Sequence, residues 1–101
     1  MDILDIHSRR EEIDRIDHRI VHLLARRLEM SIKIGRAKTA RGLPLRSPAR
    51  EEMILDAIED EAARAGLDPR VVRDMYESIL TESRRAQHRS TLTAVQGGIG
   101  G

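Results

Sequence analysis

The longest uninterrupted segment of this chain predicts a single helix of unusual length. From about Ile6 to Arg41 there is no proline, and the only glycine is Gly35. The residues expected to form one buried face recur at steps of three, four or seven, which is helical spacing. They are Ile13, Ile16, Ile20, Leu24, Ser31 and Ile34. At about 1.5 Å per residue, a helix of about 36 residues is roughly 54 Å long.

Such a helix is longer than the domain that a chain of this size can form. The chain has 101 residues, and a compact domain of about 100 residues is only around 35 Å across. An apolar face left in water forgoes about 25 cal/mol of stabilisation for every Å². We therefore expect a second copy of the chain to cover the overhang, in an intertwined homodimer. The alternative is a bent helix, or a helical hairpin broken near Gly35.

Two shorter helices are predicted after a loop around residues 42–44. Ser47 is a favourable N-cap and Pro48 suits the first helical position, so the second helix is expected to begin there. Gly66 is expected to end it. No later segment alternates apolar and polar residues in the way that a strand requires.

The pair Asp68 and Pro69 repeats the cap-and-proline signal and opens a third helix, which extends to about Leu92. The fold class is therefore all-α, with three helices, one of them very long. We expect a single domain over residues 1–95. The tail over residues 96–101 contains four glycines and is expected to be flexible.

Composition excludes several classes of protein. The chain has no cysteine, which excludes disulfide scaffolds, thiolate nucleophiles and cysteine-based metal sites. A formal net charge of +1 with one aromatic residue, Tyr76, does not fit a nucleic-acid binder. His18 and His22 have helical spacing but no acidic third ligand nearby, so neither a metal nor another cofactor is expected. The acidic start and the lack of a long apolar run predict no signal peptide, no membrane span and a cytoplasmic location.

Two cations interrupt the apolar face of the first helix. Arg27 follows Leu24 by three residues, and Lys38 follows Ile34 by four. The two cations are eleven residues apart, which is about three turns, so they lie on one stripe of the helix. Because a buried charge without a partner is strongly penalised, this stripe predicts anions facing it. Carboxylates of the protein or a dianionic ligand would satisfy it.

Other polar residues join this constellation. Arg10 lies seventeen residues before Arg27, about 25 Å away, so within one chain it cannot touch the same small ligand. In a dimer with antiparallel long helices it could reach the ligand of the other chain. Further candidates are Arg46, Ser47, Arg50 and Glu51 near the start of the second helix, and Ser83 and Gln87 on one face of the third. Taken singly, each is typical of a solvated surface residue.

The order of these residues resembles the AroQ-type, all-helical chorismate mutases. The similarity covers roughly residues 8–90. It rests on the segments 9–17 (RREEIDRID), 23–27 (LLARR) and 34–38 (IGRAK), followed by Arg50, Glu51, Ser83 and Gln87.

The resemblance implies an intertwined homodimer with two active sites and a small dicarboxylate substrate. It implies that Arg10 is lent to the site of the other chain, that Arg27 and Lys38 bind the substrate's carboxylates, and that Lys38 and Gln87 donate to its ether oxygen. The reaction, chorismate to prephenate, is a unimolecular rearrangement. It requires no nucleophile, metal or redox cofactor, which agrees with the residues present.

The resemblance also assigns the remaining positions. Ser83 is expected to contact the ring carboxylate, Glu51 the ring hydroxyl, and Arg50 to support this network. Ser47 stands where close relatives often have an acidic residue facing the ring hydroxyl. The resemblance thus implies Lys38, Gln87 and Glu51 as catalytic and the other five residues, Ser47 included, as substrate-binding.

Three alternatives remain open at this point. A 4-amino-4-deoxychorismate mutase or an isochorismate-pyruvate lyase would use the same cations, because these substrates share two carboxylates and an ether. Only the loop over residues 42–47 and the pair Ser47 and Glu51 could distinguish them. The third alternative, from another class, is a helical dimerisation module without catalysis.

Overall fold

The computed structural model describes the backbone of residues 1–100 and the side chains of residues 1–92. It contains three helices, α1 (Ile3–Ala40), α2 (Pro48–Arg64) and α3 (Pro69–Gly100), and no strand within the described backbone. The predicted all-α fold with one very long helix is confirmed. The expected flexible tail over residues 96–101 falls outside the described side chains and, like the domain boundary at residue 95, stays a prediction.

Helix α1 is continuous over 38 residues, so the alternative of a hairpin broken near Gly35 is wrong. It begins three residues earlier than predicted because of a local capping arrangement. The Asp2 carboxylate accepts a hydrogen bond from the backbone N–H of Asp5 at 2.9 Å, and the Asp5 carboxylate accepts from that of Asp2 at 3.3 Å. This reciprocal pair satisfies backbone donors that a helix start otherwise leaves unpaired.

Helix α2 has the ends that the sequence predicts. The Ser47 hydroxyl accepts a hydrogen bond from the backbone N–H of Arg50 at 3.4 Å, and Pro48 is the first helical residue. Beyond the last turn, Gly66 adopts a φ of +78°, a conformation that residues with a side chain rarely enter. The chain then reverses into α3.

The three helices form an elongated molecule rather than a compact one. Helix α3 packs against both α1 and α2, whereas α1 and α2 do not pack on each other in the described part of the chain. The molecule measures 62 × 31 × 15 Å and has a radius of gyration of 18.3 Å. A compact domain of about 100 residues has a radius of gyration near 13 Å, so the expected overhang of the long helix is present.

The hydrophobic core of one chain is small. Its buried apolar residues belong to α2 and α3: Leu55, Ala62, Leu80 and Ala86. The periodic apolar face of α1 stays in solvent, with 54% of Ile13, 47% of Ile16 and 49% of Ile20 exposed. No helix among the described residues is both long enough and apolar enough to span a membrane.

Helices α1 and α3 approach closely at Gly35, the one buried residue of α1. A Cβ atom placed on Gly35 would lie 3.0 Å from Cγ and 3.1 Å from Cβ of Gln87. Any larger residue would therefore have to displace Gln87 or separate the two helices. The glycine fixes the place where α3 meets the second half of α1.

An ion-pair network joins α2 to α3 at Arg73. Its guanidinium lies 2.7 Å from Glu52 and 3.0 Å from Glu59, with Asp56 and Glu77 at 3.4 and 3.7 Å. Hydrogen bonds that Arg73 donates to Glu52 and Glu59 raise the pKa of Arg73 above its usual value, so this side chain stays charged. The network holds the register between the two helices.

Candidate active site

A cavity of about 290 Å³ lies between the second half of α1, the start of α2 and the middle of α3. Seven of the eight residues that the resemblance assigned to the site line it. They are Arg27 and Lys38 from α1, Ser47, Arg50 and Glu51 at the start of α2, and Ser83 and Gln87 from α3. Positions that are 60 residues apart in the chain thus meet around one hollow.

Arg46, a further candidate named from the sequence, does not line the cavity, and neither does the eighth assigned residue, Arg10. Arg10 lies on the exposed first half of α1, seventeen residues before Arg27. Because α1 is continuous, the two residues are about 25 Å apart along the helix axis. Arg10 therefore cannot act in the cavity of its own chain.

Arg27 and Lys38 are held by neutral partners. Arg27 Nη1 donates to Ser83 Oγ at 3.0 Å, and Ser83 is 7% exposed. Lys38 Nζ donates to the carbonyl oxygen of Leu45, in the loop before α2, at 3.3 Å. Among the residues whose side chains are described, neither cation forms an ion pair with a carboxylate. Two half-buried cations without an internal anion favour the binding of an anion in this cavity.

Gln87 is positioned by the crossing of α1 and α3 near Gly35. Its Nε2 donates to the backbone carbonyl of Ser31 at 2.8 Å. The amide nitrogen carries two hydrogens, so one remains for an acceptor inside the cavity. The contact with Ser31 fixes the direction in which that second hydrogen points.

Glu51 has a partner that the sequence analysis missed. Arg84 Nη1 lies 2.7 Å from Glu51 Oε1, and Arg84 also lines the cavity. A signal for it existed, since Leu80, Ser83, Arg84 and Gln87 occupy positions i, i+3, i+4 and i+7, which lie on one helix face. The rest of the lining also went unrecognised and is largely apolar: Ser31, Ile34, Leu45, Ile54 and Leu80.

The lining as a whole is strongly positive. Four cationic side chains face one carboxylate, and that carboxylate is paired with one of the four. Such a cavity can hold a small dianion in one orientation and donate hydrogen bonds to an oxygen between its charged groups.

Comparison with known proteins agrees with this geometry. The chorismate mutase from Thermus thermophilus superimposes with a TM-score of 0.79 and is 30% identical, covering 84% of this chain and 96% of that one. The 4-amino-4-deoxychorismate mutase of Streptomyces venezuelae is 30% identical over 94 residues, which is 89% of this chain and 91% of that protein.

A T-protein from Enterobacter agglomerans is 30% identical over 86 residues, or 85% of this chain. The match spans only 23% of that longer protein. The family model described as chorismate mutase type II matches residues 9–88, which include the whole lining of the cavity. This chain therefore belongs to the chorismate mutase type II family.

Proposed function

We propose that this protein is a chorismate mutase that rearranges chorismate to prephenate. The observation that carries the proposal is the placement of Arg27 and Lys38, both half-buried and without a carboxylate partner, around one cavity with Gln87. Chorismate is a dianion with an ether oxygen between its two carboxylate-bearing parts. Its charges and its acceptor match the donors available.

The proposed mechanism relies on orientation and electrostatics. In the rearrangement a C–O bond breaks while a C–C bond forms within one molecule, so the enzyme must hold a flexible substrate in its compact conformer. Arg27 and Lys38 would bind the carboxylates, with Ser83 contacting the ring carboxylate and Arg50 supporting this network. Negative charge grows on the ether oxygen in the transition state, and Lys38 and Gln87 would stabilise it with preorganised hydrogen bonds.

We further infer that two chains share each active site. The exposed apolar face of α1 supports this, because a second copy would bury it. The length of α1 supports it as well, since the partner's Arg10 could then enter the cavity, which Arg10 of the same chain cannot. The two remaining substrate contacts, Glu51 and Ser47, would face the ring substituent.

The direct test is to follow the consumption of chorismate by the purified protein and to identify the product. Prephenate formation supports the proposal. Isochorismate is assayed in parallel, and release of pyruvate from it would instead indicate the isochorismate-pyruvate lyase alternative. Failure to consume chorismate or bind a bicyclic mimic of the transition state would leave the non-catalytic dimerisation module as the better description.

A second candidate is the rearrangement of 4-amino-4-deoxychorismate. One observation favours keeping it: the Streptomyces venezuelae relative has nearly the same length as this chain. Comparison of kcat/KM for the two substrates decides between them. The cytoplasmic location expected from the sequence stays a prediction.

A further inference from the structure

The ion pair between Glu51 and Arg84 fixes the charge of the cavity wall that α2 contributes. The pair is short, 2.7 Å, and its side chains are 21% and 36% exposed. Arg84 Nη2 also donates to Thr81 Oγ1 at 3.3 Å, and that hydroxyl donates to the backbone carbonyl of Glu77 at 2.9 Å. The guanidinium is thus held from two sides and cannot swing away without losing both contacts.

This arrangement leaves no uncompensated negative charge on the cavity lining. Glu51 is the one carboxylate among the lining residues, and Arg84 neutralises it. Ser47, one helical turn earlier, adds a hydroxyl rather than a second acid. Arg50, the neighbour of Glu51, adds a further positive charge to the same wall.

The geometry leaves one carboxylate oxygen for a ligand. Arg84 contacts Oε1 of Glu51, and Oε2 has no hydrogen-bond partner among the described side chains. A neutral hydroxyl can donate to Oε2 at no electrostatic cost. An ammonium group at the same place would meet a neutralised acid and two nearby guanidinium groups, which repel it.

We propose that Arg84 is a positioning residue that, through Glu51, makes the site select a ring hydroxyl over a ring ammonium. The inference rests on the proposed function, because it takes Glu51 to face the ring substituent of a chorismate-like substrate. In 4-amino-4-deoxychorismate that substituent is an amine on a saturated carbon, which is protonated near neutral pH. Arg84 therefore favours chorismate.

The test compares kcat/KM for chorismate and 4-amino-4-deoxychorismate in the wild-type protein and three variants. Arg84→Gln keeps a hydrogen-bond donor near Glu51 and removes the charge, whereas Arg84→Lys keeps the charge. Arg85→Gln is the matched control, since Arg85 is exposed and does not line the cavity. We expect Arg84→Gln to shift the ratio of the two kcat/KM values toward the amine by about tenfold, the order of effect of one nearby charge. Arg84→Lys and Arg85→Gln are expected to keep the wild-type ratio.

Equal substrate ratios in Arg84→Gln and Arg85→Gln would overturn the inference, as would a wild-type preference for the amine. If Arg84→Gln loses turnover, calorimetry on that folded variant measures the affinities of the bicyclic transition-state mimic and its ring-amino counterpart. The same shift is then expected in the ratio of their Kd values, and an unchanged ratio contradicts the inference. If the wild-type protein rearranges neither substrate, the proposed function itself fails, and this inference with it.

Discussion

The two halves of α1 carry the same apolar pattern and have different surroundings. In the first half, every residue is exposed, and Ile13, Ile16 and Ile20 each leave about half of their surface in solvent. In the second half, Gly35 is buried against α3, and Arg27 and Lys38 face a cavity. Helical periodicity identifies which side of a helix is to be buried, and it does not tell which chain covers it.

The largest effect is expected for Lys38→Ala. Loss of a preorganised donor to the ether oxygen should lower kcat by about 10²–10³-fold or more. Circular dichroism and size-exclusion chromatography should show an unchanged helical assembly. Lys33→Ala is the control, because Lys33 is the other lysine of the chain, is exposed and pairs only with Glu29 among the described residues. Equal kcat values in the two variants would refute the role of Lys38.

Each active site is expected to combine Arg10, from the first half of α1 in one chain, with Arg27, from the second half of α1 in the other. Arg10→Ala and Arg27→Ala are each expected to be nearly inactive, since each removes a substrate contact from every site. In a mixed dimer one of the two sites contains both arginines, so an equal mixture should recover about a quarter of the sites. Activity after subunit exchange measures this. Verified heterodimers without recovered activity would exclude shared sites.

A charge on the first half of α1 should break the assembly. Ile16→Asp places a carboxylate on the apolar face, and two-fold symmetry would place it in the interface twice, raising the dimer Kd by about 100-fold or more. Analytical ultracentrifugation gives the Kd. His18→Asp is the control, because it introduces the same residue about 200° around the helix. If both variants assemble alike, the apolar face of α1 is not the interface.

A smaller effect is expected at the crossing of α1 and α3. Gly35→Ala gains helix propensity of up to about 1 kcal/mol, but its Cβ displaces Gln87. We expect kcat to fall about tenfold with little change in the free energy of unfolding. Gly66→Ala is the counterpart: its positive φ should cost about 1 kcal/mol of stability and leave kcat unchanged. Denaturant unfolding and steady-state kinetics separate the two variants.

The sequence contains enough information to predict the helices and most of the cavity. Capping residues such as Ser47 act within one turn of chain, so their signals are local and readable. Arg27 and Lys38 could be identified because a charge on an apolar stripe has few explanations. The early start of α1 escaped prediction because Asp2 and Asp5 cap each other reciprocally, a pattern made of common residues.

Contacts that depend on how helices cross could not be predicted. Gln87 reaches the carbonyl of Ser31 only because α3 meets α1 closely at Gly35, and no local pattern encodes that crossing. Arg84 could not be singled out from the sequence because sixteen of the eighteen basic residues are arginine, so one more arginine carries little information. Its position on the face of Ser83 was visible, but its pairing with Glu51 depends on how α2 and α3 pack.

Ser47 links the start of a helix to the composition of the cavity. Its side-chain oxygen caps α2, and the same side chain lines the hollow. Asparagine and aspartate cap helices about as well as serine does. Position 47 can therefore carry any of these three short polar residues while α2 still begins at the same place. Each exchange would alter the charge or the hydrogen-bonding groups beside the ligand. Because the residue must also cap α2, only a few residue types at position 47 can change the ligand preference without disturbing the helix.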